Sequence, residues 1–197
     1  CFTADTVELV AAERCTGMNV VVRIDTHTFC LNSPAYADRT VDITGPDAAA
    51  KTVFVFVGMD WEIRTQPLIE DMLRAGKIVG VPLCTGKRTM EVRRITGMDD
   101  LEKGFYGLLE PKAHTALLRP DEIDLGLIPC CTCTAGGDRL GYGAGFYDVY
   151  LAQSHFLRVV LCRSRTMSET VPVEEHDQPM DVVISETGIR RTGRNSR

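Results

Sequence analysis

Between Gly137 and Asp148 the chain reads GDRLGYGAGFYD, with Gly141, Gly143 and Gly145 at alternate positions, Arg139 near one end and Asp148 at the other. Glycine at every second position leaves backbone N–H groups unshielded and allows φ > 0, so such a loop can fold around an anion. The apolar-periodic residues from Phe146 to Ala152 read as the first turns of a helix, whose N-terminal end favours negative charge. Arg139 adds a planar cationic fork, and Asp148 is a hard oxygen donor that could hold a divalent cation against the same phosphates. The expected ligand is a nucleotide or another phosphorylated molecule. The spacing is G-x-G-x-G, not the G-x-G-x-x-G of a dinucleotide fold, and the segment lacks the lysine of a Walker A loop. The plainer alternative is a glycine-rich turn that only joins a strand to a helix; Arg139 and Asp148 bracketing the loop argue for a site.

Five short apolar runs rich in β-branched residues are expected to form the sheet that carries this loop: 53–57, 78–81, 123–128, 157–162 and 182–184. Between the first two, Leu68, Ile69, Met72 and Leu73 share one helical face over 66–75, and Gly76 supplies the stop. A right-handed crossover through that helix makes its two strands parallel. Ligand loops of α/β sheets sit at the carboxyl ends of parallel strands, where the glycine loop falls. The fold class read from this pattern is α/β, a three-layer α/β/α arrangement with a mainly parallel, Rossmann-like sheet. Residues 20–25 read as a further strand, and Ala48 to Lys51 as the end of a helix. No repeat or linker divides the chain, so residues 1–187 are expected to form a single domain, followed by a flexible basic tail over 188–197.

A net charge of −5 argues against nucleic acid or an anionic membrane as a partner, so a phosphate site must be a local positive pocket in an acidic chain. No segment approaches the roughly 18 apolar residues that span a bilayer, and no secretion signal is evident at the N-terminus. Eight cysteines form no paired C-x-x-C clusters. Cys84, Cys130, Cys131 and Cys162 sit in or beside apolar runs and read as small buried hydrophobes. A soft-metal site on Cys130, Cys131 and Cys133 is the alternative, disfavoured because adjacent thiolates chelate one ion poorly and no histidine lies near. The expectation is a reduced, cytoplasmic protein.

Several motifs occur in the order found in one family. They are Trp61 to Ile69 (WEIRTQPLI), Gly76-Lys77 before a strand ending Val81-Pro82, Glu110-Pro111, and Ile123-Asp124 running into Ile128-Pro129. The Arg139–Asp148 loop follows, then Val171 to Asp177 (VPVEEHD) with Asp181. Over roughly residues 52–187 the chain resembles the 5-formyltetrahydrofolate cyclo-ligases, also called 5,10-methenyltetrahydrofolate synthetases. The resemblance implies conversion of 5-formyltetrahydrofolate to 5,10-methenyltetrahydrofolate with ATP and Mg²⁺, releasing ADP and phosphate. It implies ATP contacts from Arg139, Leu140, Gly141, Tyr142, Gly143, Ala144, Gly145, Phe146 and Tyr147. It implies a reduced-folate pocket drawing on Val57, Glu62, Tyr142, Gly143, Ala144, Gly145 and Phe146, in which Tyr142, Phe146 and Tyr147 offer flat faces to the rings. Asp148 and Asp177 match the metal-holding carboxylates; read without the family they are a helix-facing charge and a turn residue. Small-molecule substrates are implied, with no nucleic acid, membrane or protein partner.

The chain departs from the pattern in places. Family members usually begin with a basic helix whose lysine and arginine reach the ATP phosphates; here the region offers Ala12-Glu13-Arg14-Cys15, and the first lysine is Lys51. Ala144 stands where the family often has glycine or lysine, Val149 replaces a usual arginine, and cysteines replace the apolar-acidic run after Pro129. A non-catalytic folate- or nucleotide-binding relative is therefore the second reading. A third is an α/β enzyme acting on a sugar phosphate or acyl-CoA, which would give Glu62 and Asp177 no reason to accompany the loop.

Overall fold

A computed structural model describes residues 50–59, 61–104 and 107–193, together with three strands nearer the N-terminus. Those three, β1 (Thr6–Leu9), β2 (Val21–Asp25) and β3 (Thr40–Asp42), pair antiparallel in a separate small sheet, so the strand expected over 20–25 is present as β2. Arg14 and most of the helix end expected over 48–51 lie outside the described residues; Ala50 and Lys51 are a non-helical lead-in to the next strand.

The body of the chain is an eight-stranded sheet. In chain order its strands are β4 (Thr52–Val55), β5 (Ile78–Gly86), β6 (Thr89–Ile95), β9 (Ala116–Leu118), β10 (Leu125–Ile128), β13 (Leu157–Leu161), β14 (Val182–Ser185) and β15 (Gly188–Arg191). Across the sheet they run β15-β14-β13-β10-β4-β5-β6-β9. The five strands from β14 to β5 are mutually parallel, and β15, β6 and β9 add antiparallel edges. Two-stranded ribbons, β7 (Leu101–Lys103) with β8 (Leu109–Pro111) and β11 (Thr132–Cys133) with β12 (Arg139–Leu140), decorate it.

Side-chain alternation along the parallel strands builds the three expected layers. Val53, Val55, Leu125, Leu127, Val159, Leu161, Val182 and Ile184 face one core, which Leu68, Ile69 and Met72 of helix α1 (Gln66–Arg74) cover. Phe54, Ile128, Val160 and Val183 face the opposite core, covered by Tyr150 and Leu151 of helix α2 (Phe146–Leu151). Gly126 completes the second face because a Cβ there would stand 2.4 Å from the Phe156 ring. Gly76 stops α1 with φ 77°, its N–H and that of Lys77 donating to Leu73 and Met72.

Three expectations need correction. The strand expected to end at Val81-Pro82 continues to Gly86, because beyond Gly80, where the pairing with β4 ends, Pro82 lies opposite Val92 and β6 carries the pairing on. Residues Gly188–Arg191, expected to begin a flexible tail, form edge strand β15, with Ile189 opposite Ile184; residues 194–197 lie outside the described set. The helix after the glycine loop is only six residues long, since buried Arg158 donates to the carbonyls of Leu151 and Ser154 and closes its end. Among the described residues no helix is long and apolar enough to cross a membrane.

Candidate active site

The order of the parallel strands reverses between β4 and β10: β4 continues outward to β5, whereas β10 continues in the other direction to β13 and β14. Loops leaving the carboxyl ends of such a pair diverge and open a crevice between them. The loop after β4 carries Val57 and Glu62, and the segment after β10 carries the glycine loop.

The β4 loop is held closed from inside. Thr65 Oγ1 donates to Phe56 O at 2.6 Å and accepts from Gly58 N at 3.0 Å, while Gln66 Nε2 donates to Gly58 O. Gly58 must be glycine, since a Cβ would stand 2.0 Å from Ile63 O. This fold brings Glu62 back over the strand end, where its Oε2 accepts from Met59 N at 2.9 Å. Burial pushes the Glu62 carboxyl above the ordinary carboxylate range, opposed by hydrogen bonds from Met59 and Tyr142 and by the charge of Arg163. Val57 is buried in the α1-side core, so it forms the floor of this arm.

The glycine loop folds around Arg139, which is buried. Its Nη2 lies 2.8 Å from both oxygens of Asp148, its Nη1 lies 3.5 Å from Pro129 O, and its guanidinium carbon stands 5.9 Å over the Tyr147 ring. Arg139 Nε is buried with no hydrogen-bond partner among the described residues. A Cβ on Gly141 would stand 2.8 Å from Arg139 Nη1, so this glycine makes room for the guanidinium. Gly143 and Gly145 take φ of 82° and 70°, which turn the chain back into α2. Leu140, Tyr142, Gly143 and Ala144 are exposed, and Gly141, Gly145 and Phe146 are half-buried, leaving the loop backbone open to a ligand.

The structure divides the three aromatics. Tyr147 stacks on Phe54 with centroids 6.1 Å apart and reaches both cores, so it is a wall between loop and sheet. Tyr142 stands at the surface, its hydroxyl accepting from Trp61 Nε1 at 2.8 Å. Burial and the nearby Glu62 charge push its phenol up to about 12, and its hydrogen bond from Trp61 joins the two arms of the crevice. Phe146 lies between these extremes.

Asp177 closes a turn, its Oδ2 accepting from Glu174 N at 2.8 Å, and His176 lies beside Glu174 and Asp177. The next residue, Gln178, donates its backbone N–H to Asp148 Oδ1 at 3.3 Å, so the turn abuts the glycine loop. The motif carboxylates Asp124 and Asp181 serve the scaffold instead: Asp124 accepts from Lys51 N and Thr52 N, and Asp181 from Arg158 N. Lys77 likewise donates to Ala50 O.

Two cations were missed in the sequence. Arg163, after β13, donates to Trp61 O at 3.2 Å and Glu62 O at 3.0 Å, bridging to the β4 loop from 101 residues away. Arg88, at the tip of the β5–β6 hairpin with φ 66°, seats its guanidinium against the glycine loop: a Cβ on Gly145 would lie 2.5 Å from its Nη2. Neither falls in a motif, and neither was recoverable from spacing. A surface depression of about 450 Å³ is lined by residues 134–136, Asp138 and 167–169 and includes none of the expected site residues.

A parallel sheet with an arginine-braced glycine loop at its switch point, facing a second, carboxylate-bearing arm, defines the class as an α/β protein with its candidate site in that crevice. Comparison with known proteins is more specific. The sequence profile described as the 5-formyltetrahydrofolate cyclo-ligase family matches residues 43–186, and the chain belongs to that family. The 5-formyltetrahydrofolate cyclo-ligase of Escherichia coli K12 is 31% identical over 150 residues, covering 73% of this chain and 82% of the relative. The mouse enzyme of the same name is 27% identical over 150 residues, covering 70% and 74%. The Aquifex aeolicus 5,10-methenyltetrahydrofolate synthetase superposes with a TM-score of 0.66 at 28% identity, covering 75% and 74%. The Mycoplasma pneumoniae synthetase, at 19% identity and a TM-score of 0.56 over 71% and 75%, shares the fold.

Proposed function

We propose that this chain converts 5-formyltetrahydrofolate to 5,10-methenyltetrahydrofolate, using ATP and releasing ADP and phosphate. Family membership supports the reaction class. The observation that supports placing the reaction in this crevice is that Tyr142, on the glycine loop, accepts a hydrogen bond from Trp61 on the opposite arm, so the loop and the Glu62-bearing arm share one mouth.

In this reading the formyl oxygen attacks the γ-phosphorus of ATP in line and ADP leaves. The resulting imino-phosphate carbon is attacked by N10, phosphate departs with the N10 proton, and the methenyl bridge closes. The loop amides from Leu140 to Tyr147, Arg139 and Arg88 stabilise charge on the phosphoryl oxygens, and the unpartnered Arg139 Nε is a donor suited to that task. Arg88 takes the place of the lysine lacking in the loop. Glu62, held by Met59 N and kept more readily protonated by burial, engages polar edges of the pterin, with Val57 beneath and Tyr142 and Phe146 alongside. Orienting N10 against the activated carbon is the main contribution of the site. Asp148 and Asp177 are hard oxygen donors of the kind Mg²⁺ takes, and they would hold it with phosphate oxygens and water. When bound, the ion neutralises phosphate charge. Asp148 is already engaged by Arg139, so its second task is to fix that guanidinium under the loop.

The test is the absorbance of the methenyl-folate product after mixing the protein with 5-formyltetrahydrofolate, ATP and Mg²⁺. An ATP-dependent rise that is lost in Arg139→Ala supports the reading. A folded protein that binds 5-formyltetrahydrofolate without any rise supports the non-catalytic relative instead.

A further inference from the structure

Three cysteines, with Cys162 remote in sequence from Cys130 and Cys133, converge beside the ends of β10 and β13. Cys130 follows Pro129 at the end of β10, Cys133 ends β11, and Cys162 follows β13; their sulfurs all lie within 4.8 Å of one another. Cys133 and Cys162 are buried and Cys130 is half-buried. The adjacency that argued against chelation does not apply, because Cys131 is exposed and takes no part while Cys162 supplies the third sulfur.

We propose that Cys130, Cys133 and Cys162 form a three-thiolate site for one thiophilic d¹⁰ cation, Zn²⁺ or Cu⁺. Three sulfurs around a metal at about 2.3 Å stand about 4.0 Å apart in a trigonal plane, so the observed triangle needs to close by less than ~1 Å. Among the described residues the group contains only sulfur ligands, with no carboxylate or imidazole, and an all-thiolate set selects soft cations over Mg²⁺ or Ca²⁺. The sulfurs' other neighbours are weak. Cys130 Sγ faces Leu161 O at 3.4 Å, and Cys162 Sγ faces Arg163 O and Thr166 Oγ1, each at 3.5 Å. Each thiol releases its proton as it ligates, and the cation offsets the buried negative charge that results.

The site ties together the segments that support both arms of the crevice. Cys130 adjoins Pro129, whose carbonyl faces Arg139, and Cys162 adjoins Arg163, which holds the carbonyls of Trp61 and Glu62. A bound cation thus braces the ends of β10 and β13 whether or not the folate reaction occurs there.

The experiment uses the full chain, reduced and stripped with a chelator, with Cys1, Cys15 and Cys30 replaced by serine so that they contribute no thiol. Cd²⁺ is added as a spectroscopic probe. The expected result is a thiolate-to-Cd²⁺ charge-transfer band saturating at one ion per chain, with a raised melting temperature. The band persists in Cys131→Ser and Cys84→Ser and is lost in Cys162→Ala. Displacement by Zn²⁺ or by Cu⁺ at the lower concentration identifies the preferred ion. A folded, reduced chain with no band, or a band that survives Cys162→Ala, overturns the proposal. Should Cys162→Ala fail to fold, the parent chain decides: no rise in melting temperature with Cd²⁺, Zn²⁺ or Cu⁺ overturns it equally.

Discussion

Replacing Arg139 with alanine tests the central brace of the glycine loop. The Arg139–Asp148 pair is nearly out of water, with side chains 4% and 14% exposed, so solvent screening is weak. Removing one partner of a buried pair costs about 3–5 kcal/mol, because the other charge is left desolvated. Among the described residues Asp148 would retain only the Gln178 N–H at 3.3 Å, too long to compensate. The lower end of that range applies, since Asp148 can turn partly to solvent: about 3 kcal/mol. For a domain of this size each kcal/mol lowers Tm by roughly 2–4 °C, giving a fall of roughly 6–12 °C. The assay is urea unfolding of Arg139→Ala, Asp148→Ala and the double variant. The double variant should cost much less than the sum of the singles, with a coupling above about 1 kcal/mol. A single-variant cost below about 1 kcal/mol, or strict additivity, would refute the idea that the pair is an energetic unit.

Three further outcomes follow from the geometry. Gly126→Ala should cost about 1–3 kcal/mol by driving a methyl into the Phe156 ring, and adding Phe156→Leu should recover part of it; absence of recovery in denaturant midpoints would mean the cost lies in the backbone. Glu62 binds its proton more tightly folded than unfolded, so its contribution to stability is fully present below its ordinary value of 4.5 and is lost as pH rises through the higher folded value. Glu62→Gln should therefore gain stability relative to the parent between pH 4 and 7, and a pH-independent difference would show that burial does not govern this group. Arg88→Ala should leave stability within about 0.5 kcal/mol, as expected of an exposed residue, yet raise the KM for ATP several-fold; an unchanged KM removes Arg88 from the phosphate site.

What could be read in advance followed local periodicity. Leu68, Ile69 and Met72 repeat at helical spacing, and the apolar runs of the parallel strands are long enough to be buried on both faces, so α1 and the central sheet were legible. The edges were not. β6, next to the edge strand β9, mixes Glu91, Arg93 and Arg94 with Val92 and Ile95, and edge strand β15 carries Arg190 and Arg191, because strands at the margins of a sheet present only part of their surface to the core. At the site, the glycine loop announced itself through spacing, but its pairing of Arg139 with Asp148 did not, since two groups suited to separate ligands also suit each other. Arg163 and the three cysteines depend on strand order, which brings the ends of β10 and β13 together and leaves no trace in local sequence.

The reversal of strand order at β4 and β10 also bears on how the protein folds. The β5–β6 hairpin closes across a two-residue tip, whereas Asp124 meets Lys51 and Thr52 over separations of 73 and 72 residues. Closing a loop of that length costs about 3 kcal/mol more chain entropy than closing the hairpin. The hairpin bearing Arg88 can therefore form early, while the crevice exists only once residues beyond 128 have joined the sheet. Asp124→Ala should then slow folding little and speed unfolding, the kinetic signature of a ligand site assembled after the main barrier.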